Sequence, residues 1–94
     1  MPAMNATTLV PLGMIVATPN ALANISADEI QRALQRHVIG DWGELDADDK
    51  KANDDALQSG ERLLSAYKSA TGTKFWIITE SDRSVTTILL PEDY

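Results

Sequence analysis

The run "KFWIIT", residues 74 to 79, constrains this chain more than any other. A strand with one wet face alternates apolar and polar side chains, whereas Phe75, Trp76, Ile77 and Ile78 offer no polar face at all. "ILL", Ile88 to Leu90, repeats the demand one segment later. Such strands need cover on both sides. Helices can supply one cover, and the other must come from the apolar N-terminal segment "GMIVA", from a second copy of the chain, or from a partner. The expectations are therefore a buried N-terminal strand, unfolding or exposure of apolar surface on Ile15→Asp, tolerance of trimming before Thr8, and some residual capacity for homodimer formation.

The rest of the last third agrees with a sheet. "ERLLSAYKSATGTKFWIITESDRSVTTILLPEDY" is rich in Leu, Ile, Val, Thr and aromatics and is divided by "SATGT" and "ESDRS", which predicts three antiparallel strands in a meander. Upstream, Thr18 followed by Pro19 starts a one-turn helix. "ISADEIQRALQRHVIG" carries a capping box (Ser26, Glu29), a hydrophobic staple (Ile25, Ile30) and an apolar face of Ile30, Ala33, Leu34, His37 and Val38, with Gly40 as the stop. A further helix runs from Asp46, its N-cap, to Ser59 and ends at Gly60. Its stripe of Ala52, Ala56 and Leu57 is thin, and Asn53 shares that face. The order is strand, two to three helices, then a meander, which is an α+β arrangement in a single domain over residues 1–94.

Ninety-four residues leave little room for a deep substrate pocket. There is no cysteine and one histidine, so no disulfide framework, thiolate nucleophile or Cys-ligated zinc is expected, and no cofactor or metal. A net charge of −6 opposes direct nucleic-acid binding, which concentrates Lys and Arg on phosphates. The apolar start lacks a basic leader and is interrupted by Pro11, Gly13 and Pro19, so a cytoplasmic chain without a membrane span is expected.

Most of the charge lies in residues 41 to 55, where seven carboxylates face only Lys50 and Lys51, a net of −5. "DADDKKANDDAL" is not a calcium loop, because Lys50 stands where a ligand is needed. Acidic residues at a helix start satisfy free N–H groups and the helix dipole, and Asp46 with Lys50 has the spacing of an i, i+4 pair. That explains Asp46, Asp48 and Asp49 but not Asp41, Glu44, Asp54 and Asp55. Those four with Asp48 can imitate phosphates on a partner bearing a basic groove. Trp42, in "GDWGE", is read either as a loop side chain folded back over the helices or as an interface anchor. The partner-binding candidates are thus Asp41, Trp42, Glu44, Asp48, Asp54 and Asp55.

His37 is read first as a packed, hydrogen-bonded core residue. The alternative makes it a general base joined by Arg62, Arg83 and Thr86. A His-bearing helix over a meander carrying Arg and Ser or Thr resembles the layout of small metal-independent ribonucleases of the barnase and RelE-like type, and that resemblance implies RNA cleavage. A buried His37 argues against that chemistry.

Through "GDWG", "FWIITE", "DRSVTT" and "LLPEDY", residues 36 to 94 resemble a family of small bacterial proteins of unassigned function. Its members are labelled plasmid-related or mobile-element proteins, some with a restriction-modification label. The resemblance implies carriage on plasmids or phage-like elements and transfers no catalytic residue. Small acidic proteins of such elements include inhibitors of restriction and CRISPR systems. The resulting expectation is an acidic macromolecule-binding protein acting as an anti-defence inhibitor, with a ribonuclease or toxin-like enzyme and a regulatory or structural mobile-element protein as alternatives.

Overall fold

The structure is a computed structural model that describes residues 8–94. Residues 1–7, and with them the expected tolerance of trimming before Thr8, lie outside the described residues. Strand β1 (Met14–Ala17) is followed by helices α1 (Pro19–Asn24), α2 (Ala27–Val38) and α3 (Ala47–Ser59), then by β2 (Leu63–Lys68), β3 (Lys74–Thr79) and β4 (Val85–Leu89). A short 3-10 turn, Pro91–Asp93, closes the chain. The fold is α+β, with one four-stranded sheet in the order β1-β4-β3-β2. β2, β3 and β4 form the expected antiparallel meander, and β1 adds to β4 in parallel, Met14 opposite Val85 through Ala17 opposite Ile88.

Local chemistry accounts for the helices. The Thr18 hydroxyl accepts from the Ala21 N–H at 3.1 Å, with Pro19 at the first helical position. The Ser26 hydroxyl accepts from the Glu29 N–H, so α2 is capped, but the box is only half made. The Glu29 carboxylate accepts instead from the Ser26 hydroxyl and, at 2.6 Å, from the Ala70 N–H, which ties α2 to the β2–β3 hairpin. Asp46 caps α3 by accepting from the Asp49 N–H, and Gly60 ends it in the left-handed region with φ 78°. Lys50 does not pair with Asp46; the i, i+4 pair on α3 is Lys51 with Asp55, at 3.0 Å.

Register decides which side chains share a face. Leu63, Thr79 and Thr86 form one row, Ser65, Ile77 and Ile88 a second, and Tyr67 and Phe75 a third, all on one side. Helices α1 and α2 cover that side with Ala21 and Ala33, the link between them adds Ile25, and Ile30 and Leu34 pack at its margin. Full burial of side chains such as Phe75 and Ile77 contributes about 1.5–3 kcal/mol each and makes this the principal core. A second cluster joins Val10, Trp42, Ala56 and Leu63 beneath α3.

On the opposite side Ile78 and Leu89 are buried and Trp76 is half-buried. The C-terminal turn contributes to that cover: Tyr94 stands edge-on to Trp76 at 5.8 Å, and its hydroxyl accepts from Arg62. Asp93 fastens the turn to α1 by accepting from Thr18 and Asn20. The expectation of "GMIVA" as a buried strand fails, and of the three candidate covers for this second side it is not the one. β1 lies in the sheet plane, extending it at the outer edge of β4. Its residues remain open, with Met14 68%, Ile15 50% and Val16 38% exposed.

The two sheet edges are treated differently. At β2, the Asn53 side chain acts as a strand substitute, donating from Nδ2 to the Leu64 carbonyl and accepting at Oδ1 from the Leu64 N–H. One residue pair further on, the Glu44 N–H donates to the Ala66 carbonyl and the Ala66 N–H to the Trp42 carbonyl. Gly43 permits this approach: its φ is 78°, and a Cβ there would collide with the Ala66 carbonyl and the Tyr67 ring. The edge of β2 is closed by the chain itself. Nothing among the described residues closes β1 in this way.

Candidate functional site

His37 projects from α2 into the sheet and is fully buried. Nδ1 lies 2.6 Å from the Ser65 hydroxyl and Nε2 lies 2.9 Å from that of Thr79. Thr79 is bonded to Thr86 at 2.7 Å, and Thr86 donates to the Leu12 carbonyl at 2.7 Å. The proton order follows from the last link. A carbonyl only accepts, so the Thr86 proton is used there and Thr86 must accept from Thr79. Thr79 then accepts from Nε2–H, which leaves Nδ1 to accept from Ser65. Each hydroxyl proton and ring nitrogen has one assigned partner, in the neutral Nε2–H tautomer. Burial pushes the His37 pKa down to about 4, with the Arg83 charge lowering it further.

The expected alternative constellation of His37, Arg62, Arg83 and Thr86 is only partly assembled. Thr86 and His37 belong to the same chain of bonds, but that chain is enclosed. Arg62 is held at the surface by Tyr94, donating to its hydroxyl at 2.6 Å. Arg83, at φ 61°, donates to the carbonyls of Glu61 and Glu80 and, through its other nitrogen, to Ala56. It therefore sits at the carbonyl end of α3, where a cation complements the helix dipole. Neither guanidinium is bonded to His37. No exposed cleft brings a base, a cation and a hydroxyl together among these four.

The acidic candidates are more engaged than their spacing suggests. Asp41 accepts two bonds from Arg36, at 2.7 and 3.2 Å, and this guanidinium holds its carboxyl below the usual range. Arg36 in turn lies over the Tyr67 ring. Asp54 accepts from the Trp42 indole N–H at 2.9 Å, and Asp55 pairs with Lys51. Glu44 is 4.0 Å from Lys68. Asp48 and Asp49 stand exposed, without an ion pair among the described residues. Trp42 is 3% exposed and packs edge-on to His37 at 5.7 Å, so as an exposed interface anchor it is excluded and as a folded-back loop residue it is explained.

An apolar surface feature lies elsewhere. A groove of about 480 Å³ runs along β1 beneath the margin of α2, walled by Ile15, Ala17, Leu22, Ile30 and Leu34. Leu22 is 64% exposed. Sequence reasoning placed β1 inside and so missed this surface. The signal was present: no charged residue occurs before Asp28, although charged residues make up 23% of the chain.

Among the described residues no three His, Asp or Glu side chains converge to hold a metal, and no helix is long and apolar enough to cross a membrane. Comparison with protein-family models, curated proteins and solved structures finds no match to this chain.

Proposed function

We propose that this chain acts by binding another macromolecule, a protein, through the apolar edge formed by β1 and the groove beside it. The observation that carries this reading is the contrast between the sheet edges. The chain uses Asn53 and residues 42 to 44 to close β2, and among the described residues nothing closes β1, with Met14, Ile15, Val16 and Leu22 exposed around it. An open edge strand beside an apolar groove suits strand addition, in which main-chain bonds give affinity and alternate side chains fill the groove. The interior position of the His37 chain supports binding rather than ribonuclease-like chemistry.

A second reading retains the acidic surface. Asp48 and Asp49 stand exposed at the start of α3, without an ion pair among the described residues, and give that end of the molecule a negative field that would favour a basic partner. Taken with the resemblance to mobile-element proteins, it describes an anti-defence inhibitor, and a regulatory or structural element protein remains its variant.

Partner capture from a bacterial lysate separates the two surfaces. Val16→Lys is expected to abolish retention of a partner, and Asp48→Asn with Asp49→Asn to leave it intact. The reverse pattern, loss with the two Asn substitutions and retention with Val16→Lys, would overturn the edge reading in favour of the acidic one.

A further inference from the structure

We infer that the occupant of the β1 edge is a second copy of this chain, its β1 added antiparallel to the first across a two-fold axis at Val16. The inference rests on the reading of that edge as the binding surface, and names the partner.

Backbone direction makes the edge self-complementary. The Met14 N–H donates to the Ser84 carbonyl at 2.9 Å and the Thr18 N–H to the Ile88 carbonyl at 3.0 Å, so the even-numbered residues of β1 bond to β4. In a parallel pair the intervening residues point the other way, and the N–H and C=O groups of Ile15 and Ala17 face outward. Placing Ile15 opposite Ala17 of the second copy satisfies all four groups on each side. Val16 then meets Val16 of the second copy as the central non-bonded pair. Opposed residues in such a pair share a face, so Ile15 and Ala17 stay on the helix side, where the two grooves join and Ile30 and Leu34 of each copy face the other.

Charge permits this occupant. A chain of net charge −6 repels its own copy unless the contact is uncharged and the acidic parts are far apart. The acidic run of residues 41 to 55 meets both conditions, while Asp93 is the carboxylate held against the edge segment, by Thr18 and Asn20. The segment that forms the edge, through Ile25, has no charged side chain, and α3 packs against β2 at the other end of the sheet. In an eight-stranded sheet running from β2 to β2, seven spacings separate the outer strands by about 34 Å. That is several times the Debye length of about 8 Å at physiological ionic strength. The two acidic surfaces lie at opposite ends, and the edge that self-pairing leaves outermost, β2, is the one the chain has already closed.

Light scattering on the 10.2 kDa chain at tens of micromolar, at low and high salt, tests this directly. Twice the chain mass is expected, undiminished by salt. Ile15→Pro removes one outward N–H at an edge where the monomer does not use it, so the fold should persist by circular dichroism while dimer dissociation strengthens by about tenfold or more. Because the chain has no cysteine, Val16→Cys should crosslink to its own copy on oxidation, the paired Cα atoms lying within the range of about 4.4–6.8 Å that a disulfide spans. Gln58→Cys, at the far end of α3, should not crosslink. A monomer in the full chain that becomes a dimer when residues 1–7 are removed would show the leader to be the resident occupant and overturn the inference. A monomer in both forms, with no Val16→Cys crosslink, would also overturn it. If in that case Val16→Lys still loses a lysate partner, the edge remains a binding surface and only the second copy is refuted.

Discussion

His37 shows how one side chain can be decisive for stability without being available for chemistry. Its pKa is depressed to about 4 from 6.5, so the folded chain binds its proton less readily than the unfolded chain does. Stability from this group is therefore complete above pH 6.5 and is lost as pH falls toward 4. Between pH 6.5 and pH 5 the loss is about 2 kcal/mol, on the order of 1.4 kcal/mol for each pH unit. Urea denaturation at pH 7 and pH 5 should show this loss in the wild type and not in His37→Gln, which is less stable at pH 7 because Ser65 or Thr79 loses a partner. An equal pH dependence in both proteins would mean that His37 is not the titrating group. The core role of His37 was legible from its position on the apolar face of α2. Its partners were not, since Ser65, Thr79 and Thr86 come from three strands. The available hint was that these polar residues fall on the same strand faces as Leu63, Ile77 and Ile88.

Among the elements, the closing of β2 carries the largest testable consequence. Asn53 makes both amide bonds to Leu64 from a buried position on α3, so Asn53→Leu keeps the volume and removes both partners. A cost of about 2–3 kcal/mol in urea denaturation is expected, whereas Asp48→Asn on the exposed side of the same helix should change stability by less than about 1 kcal/mol. A neutral Asn53→Leu would mean that water serves that edge as well as the side chain does. Elements whose signals are local were readable: the Thr18, Ser26 and Asp46 caps, the stop at Gly60 and the two hairpin turns all act within a few residues. β1 was recognised as a strand but misplaced. Its partner β4 lies about seventy residues away, and an apolar run of four does not reveal whether it lies across a sheet or beside it. The demand of "KFWIIT" for two covers was sound, yet Tyr94 and the C-terminal turn contribute to the second one.

At the scale of the whole molecule, charge and apolar surface are separated along the sheet. α3 and its carboxylates lie toward β2, and the uncharged groove lies along β1. The acidic run that dominates the sequence is largely engaged within the chain, through Arg36, Trp42 and Lys51. The unadvertised N-terminal segment supplies the open surface. Amide hydrogen exchange at Ile15 and Ala17 measures that surface most directly, because these two N–H groups face outward only if β1 is a free edge. At low micromolar concentration they should exchange quickly, and at several hundred micromolar they should become protected, while Ala66 at the opposite edge stays protected throughout. Protection of Ile15 and Ala17 that is independent of concentration, or rapid exchange at both concentrations, would contradict an edge that is open in the single chain and filled by a second copy.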